Sequence, residues 1–162
     1  MKSFLKSAVF SLCILGFFVF VCMYVTGLSG GGGGGGGATG INPEAGEAIY
    51  WGDGQCHTCH SIGTSGSATR GPNQEGLAAR AEERAKEAGL SSGLEYLVES
   101  IVDPSAFVVE GYDNIMPKVY DAPIMLGREQ IQAVLTYLQT LGGEPNIEAV
   151  AKYAEKIPEA SG

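Results

Sequence analysis

The chain has 162 residues, 44% of them hydrophobic, and a formal net charge of −8. That length suits one domain with accessory segments. The acidic balance argues against nucleic acid, whose phosphates it would repel, and for a partner with a basic docking face.

Lys2 and Lys6 precede Ala8 to Val25, eighteen residues without a charge. As a helix that stretch would span about 27 Å at 1.5 Å per residue, close to the hydrocarbon thickness of a bilayer. The lysines put its start in the cytoplasm, and the acidic remainder is then exported. Residues 1–28 therefore read as an uncleaved signal anchor, a single pass through the cytoplasmic membrane. A cleaved signal peptide is the alternative. Against it, the apolar run exceeds the usual length, and no small-x-small site follows Val25 at once. Cys13 and Cys22 follow Leu12 and Val21, where a lipidated cysteine would want a small residue. Gly30 to Gly37 is unbroken glycine, with no side chain to pack and maximal backbone freedom. Residues 29–41 read as a flexible linker; about fifteen residues of such chain reach roughly 20–23 Å.

Asn42-Pro43-Glu44 predicts a helix start: asparagine as cap, proline at the first helical position, and Glu44 and Glu47 beside the positive end of the helix dipole. Ala45, Ile49 and Ala48 supply its apolar stripe, and Gly46 and Tyr50 share a face. A glycine inside a helix implies close approach of another element there. The helix is expected to end near Gly52 or Gly54.

Cys56-His57-Thr58-Cys59-His60 then reads C-x-x-C-H, the attachment signature of a c-type haem. Two thiols three apart can each add to one vinyl group of a single porphyrin. The histidine directly after the second is thereby held under the iron. Cys56 and Cys59 are expected to tether one covalent haem c, with His60 as proximal ligand. A redox C-x-x-C would sit beside a βαβ pattern, and a structural zinc site would need a second ligand pair; the chain offers neither. Covalent haem attachment in bacteria takes place outside the cytoplasm, which agrees with the export of this domain. The cysteines of the apolar run and of the motif leave no disulfide framework. Both histidines of the chain lie in the motif, so a Ser-His-Asp site is excluded and no catalytic residue is assigned.

Ser61 to Arg70 is a small-residue loop leading to Gly71-Pro72-Asn73. Such a turn could orient the other ring nitrogen of the ligating histidine. The stretch AEERAKEA ending at Ala88 reads as a solvated helix with little to bury. Ser91-Ser92 caps a helix carrying Leu94, Leu97, Val98 and Ile101 on one face, stopped by Asp103-Pro104. Val108 to Tyr120 is read as a loop holding Met116 before Pro117, a stiff thioether suited to the iron's sixth position, opposite His60. Met125, within Ile124-Met125-Leu126, reads as core instead. Arg128 to Leu141 is the strongest helix, with Ile131, Val134, Leu135, Leu138 and Leu141 on one face and Gly142-Gly143 as its stop. The tail, residues 144–162, holds one weak helical stretch, Glu148 to Lys156.

Together, CHTCH, GPNQEGL, IMPK and a closing helix ending YLQTLGG resemble a class I (monohaem) cytochrome c over about residues 42–143. The resemblance implies an all-α fold around one haem and His60 and Met116 as the axial pair. It implies the Pro72 carbonyl as acceptor for His60, and Gly46 and Tyr50 as the contact with the carboxy-terminal helix. Tyr50 stands two residues further from the first cysteine than is usual in that family, so the chain must loop out between them. Residues 78–88 are longer than the minimal fold. With the anchor, the resemblance implies a membrane-tethered electron carrier between respiratory or photosynthetic complexes, not an enzyme, its haem domain periplasmic. The alternatives are a fixed subunit of a larger quinol-oxidising or oxidase assembly such as alternative complex III, and a haem enzyme or gas sensor with an open sixth site.

Overall fold

The computed structural model describes residues 11–21 and 40–161. The chain divides into two units, Met1–Gly35 and Gly36–Gly162. In the first, residues 11–21 form a helix, α1, with exposed side chains; Leu12, Leu15, Phe17 and Phe18 are among them. Among the described residues no helix is long and apolar enough to cross a membrane. Lys2, Lys6, Cys22, Met23, the ends of the apolar run and the glycine run at 30–37 lie outside the described residues.

The second unit is helical, with no strand among the described residues. Its helices are α2 (Pro43–Trp51), α3 (Leu77–Ala88), α4 (Gly93–Val102), α5 (Arg128–Thr140) and α6 (Ile147–Lys152), with 3-10 turns at Cys56–Thr58 and Ala154–Lys156. The start of α2 follows local chemistry. Asn42 is extended and its side-chain oxygen accepts from the Ala45 N–H at 2.8 Å, while Pro43 opens the helix. Gly52 caps the other end. Ala45, Gly46, Ile49 and Tyr50 are buried; Ala48 is exposed, so the stripe is narrower than expected.

That face packs on α5, the most extensive helix pair of the unit. A Cβ on Gly46 would lie 2.0 Å from the Ala133 carbonyl oxygen, so the two backbones meet where only a hydrogen fits. The rings of Tyr50 and Tyr137 pack edge to face at 5.6 Å. Helix α5 is buried all round from Ile131 to Leu138, not on one face only, because the tail covers its far side. Val150 of α6 and Ile157 are fully buried. Arg128 Nε donates to the Ile157 carbonyl at 2.9 Å, and its guanidinium pairs with Glu159. Lys156 reaches Glu95 of α4 at 3.0 Å, and the Ser161 N–H donates to the Tyr120 carbonyl. The tail is thus a packed strap across α4, α5 and the loop before α5.

Helix α3 corrects the expected solvated segment. It begins at Leu77 and buries Leu77, Ala81 and Ala85, packing chiefly on α4. Two of these, Ala81 and Ala85, are small, and α4 comes close: a Cβ on Gly93 would lie 2.9 Å from the Glu82 backbone nitrogen. The expected cap of α4 is present, with Ser92 Oγ accepting from the Glu95 N–H. Met125 is corrected too. It is 44% exposed and sits at φ 57°, turned outward by a tight turn in which the N–H groups of Ile124 and Met125 both donate to the Asp121 carbonyl.

Candidate functional site

Between α2 and the motif the chain turns sharply. The Gly54 N–H returns to the Ile49 carbonyl at 2.9 Å, and Gln55 adopts the left-handed conformation at φ 53°. This turn takes up the longer spacing between Tyr50 and Cys56. Cys56–Thr58 is a 3-10 turn, and the His60 N–H closes a helical turn on the Cys56 carbonyl at 3.0 Å. Residues three apart in such a turn share a side, and both Cys56 and Cys59 line one cavity of ≈ 360 Å³. Burial pushes the Cys56 thiol up to about 11, so it is held as the neutral thiol. The buried Tyr50 hydroxyl donates to the His60 carbonyl at 3.2 Å, fixing the main chain of that residue from α2.

His60, Pro72 and Met116 line the same cavity; Met125 does not. Nδ1 of His60 lies 2.9 Å from the Pro72 carbonyl, which can only accept. A proton on Nδ1 therefore makes that bond, and leaves Nε2 with a free lone pair. Burial lowers the tendency of His60 to gain a second proton, against a smaller opposite pull from the Pro72 carbonyl. A neutral imidazole is the metal-binding form.

The turn that presents Pro72 is itself fixed. The Gly71 N–H donates to the Cys59 carbonyl at 2.8 Å. A Cβ on Gly71 would lie 2.4 Å from His60 Cε1, so the ring occupies the space a side chain would need there. Asn73 ties the turn to the preceding loop: Oδ1 accepts from the Gly63 N–H at 2.9 Å, and Nδ2 donates to the Gly63 carbonyl at 2.8 Å. Arg80 of α3 donates to the Asn73 carbonyl.

The remaining wall is mainly apolar. It includes Leu97 and Ile101 of α4, Val119 and Leu126 before α5, and Ile131, Val134 and Leu138 of α5, all buried. Two cations, Arg70 and Arg84, also reach it. A flat, largely hydrocarbon ring system with charged carboxylate edges fits such a lining, and the donor set of two thiols, an imidazole nitrogen and a thioether fits a c-type haem. Among the described residues no cluster of His, Cys, Asp and Glu could hold a separate metal ion.

Sequence reasoning named Gly71 as part of the turn that orients His60 but not its steric role, and it missed Gln74. Gln74 is 8% exposed, and its amide lies 2.7 Å from His60 Nδ1. A polar residue between a turn and a helix reads as solvated; only its proximity to the ring in three dimensions marks it. The family model for cytochrome c matches residues 43–142, well over half of the chain. No curated relative matches the chain significantly.

Proposed function

Because the chain belongs to the cytochrome c family, electron-transfer proteins that hold haem c and its iron covalently, we propose that it works as a membrane-tethered, one-electron carrier between redox complexes. When bound, the haem supplies a reversible ferric–ferrous couple. Cys56 and Cys59 would hold it through thioethers. His60 would bind the iron through Nε2, with its Nδ1–H held by the Pro72 carbonyl. Met116, which lines the same cavity, would offer the iron its thioether sulfur. With both ligands supplied by side chains of one cavity, little would rearrange between oxidation states. The buried aliphatic wall residues keep water away, and a thioether ligand favours the ferrous state relative to a second histidine. The observation that carries this reading is the His60–Pro72 geometry in a cavity that also holds Met116.

Replacing Met116 with Ala tests it. The variant should lose the weak sulfur-to-iron absorption band of the oxidised protein and show a lower midpoint potential. An oxidised wild type without that band would overturn the thioether assignment and favour an open-site haem enzyme or sensor.

The exposed apolar side chains of α1, within the charge-free run Ala8 to Val25, support a single-pass anchor with the haem domain outside the cytoplasm. An acidic domain tethered in this way would dock on a basic face of its partner by steering. Electron transfer to a basic partner should therefore slow as ionic strength rises from about 10 mM to 0.5 M, the Debye length falling from about 30 Å toward 3 Å. Stopped-flow rates indifferent to salt would instead favour a carrier fixed inside a larger complex.

A further inference from the structure

Nδ1 of His60 has two close neighbours, the Pro72 carbonyl at 2.9 Å and the Gln74 amide nitrogen at 2.7 Å. One ring nitrogen cannot satisfy both as they stand. A protonated Nδ1 donates to Pro72 and meets the Gln74 NH₂ donor head-on. An unprotonated Nδ1 accepts from Gln74, but then faces the Pro72 oxygen with no proton between them, and carries its own proton on Nε2, where the iron must bind. Meanwhile Gln74 Oε1 is buried without a partner. Turning the amide by half a revolution exchanges its two ends at the same positions and removes the conflict. Oε1 then faces Nδ1–H, which is shared between two acceptors. One amide group lacks a partner in either orientation, so the contact at the ring decides between them.

We infer that Gln74 is a second hydrogen-bond acceptor for His60, acting beside Pro72 to fix the iron-binding tautomer and make the imidazole a stronger donor, thereby lowering the midpoint potential. Acceptors on the outer nitrogen of a ligating histidine orient the ring and raise its basicity. A stronger donor stabilises ferric over ferrous iron. Gln74 is a positioning residue: it reaches the iron only through His60. The inference rests on His60 serving as the axial ligand.

The test uses the haem-loaded full chain with Gln74→Met, which keeps the length of the side chain and removes the acceptor. Gln74→Leu serves as a second replacement if Met disturbs packing. With an unchanged low-spin spectrum, the midpoint potential should rise by the equivalent of a several-fold shift in the one-electron equilibrium, at about 59 mV per factor of ten. The Nδ1–H proton of His60 should shift in the paramagnetic NMR spectrum and exchange faster with D₂O. Gln74→Glu restores an acceptor and should return the potential to the wild-type value or below. An intact spectrum with a potential and Nδ1–H resonance unmoved in Gln74→Met and Gln74→Leu overturns the role of Gln74 and leaves His60 ligation standing. A wild-type spectrum without low-spin histidine ligation overturns both.

Discussion

A chain carrying Cys56→Ser and Cys59→Ser together is expected to release all of its haem into acidified organic solvent, whereas the wild-type chain keeps its colour after the same extraction. The serine hydroxyl is nearly the same size as the thiol but does not add to a vinyl group, so the turn at Cys56–Thr58 is preserved while both covalent bonds are lost. Each single variant should retain the colour through one thioether and show a shifted pyridine haemochrome band. The consequence for the fold is larger than for a surface ligand. Eight buried aliphatic side chains form part of the cavity wall. Exposing even half of them to water would cost on the order of 6–12 kcal/mol at about 1.5–3 kcal/mol each, comparable with the whole stability of a domain, about 5–15 kcal/mol. The extracted double variant should therefore lose its cooperative helical melt by circular dichroism. Colour that stays with the polypeptide of the double variant, or colour that washes from the wild type, would contradict covalent attachment at these two positions.

The elements that could be read in the sequence are those fixed by neighbours in the chain. Asn42 and Ser92 cap because their side chains reach N–H groups three residues on. The cysteine–histidine motif lies within one turn, so its chemistry needs no distant partner. What could not be read depends on contacts across the fold. The charged sequence of α3 hides the burial of Ala81 and Ala85, because alanine carries little hydrophobic signal and the snug fit comes from Gly93 on the facing helix. Met125 has an apolar setting, but a backbone turn at φ 57° points it outward. The tail offers only scattered apolar residues; the hole that Val150 and Ile157 fill belongs to α5 and is invisible until α5 is in place. Gln74 is the clearest case, since nothing in its own neighbourhood tells a solvated glutamine from one pressed against His60.

Gly46→Val should destabilise the loaded protein more than any other single substitution in α2, and Gly46→Ala should already be harmful. The obstacle to a side chain there is backbone, which cannot change rotamer. The added Cβ would lie 2.0 Å from the Ala133 oxygen, 2.6 Å from the Ala133 carbonyl carbon and 2.6 Å from Tyr137 Cβ. Ordinary contact requires more than an ångström of extra separation, so α2 must lift from α5 along its length. Ala45, Ile49 and Tyr50 then lose part of their packing, and the Tyr50 hydroxyl is drawn away from the His60 carbonyl. Overpacking that side chains can absorb costs about 1–3 kcal/mol; displacement of a whole helix should exceed that, about 3 kcal/mol or more. A loss of this size lowers the melting temperature of a domain this long by roughly 10 °C or more. Ala48→Val is the control, on the same helix but exposed, where only helix propensity changes, by less than about 1 kcal/mol. The thioethers keep the haem attached in every variant, so thermal melts followed at the haem absorbance compare like with like. A Gly46→Ala protein melting within about 2 °C of wild type would mean that the two helices do not meet backbone to backbone, and the placement of Tyr50 over His60 would lose its support.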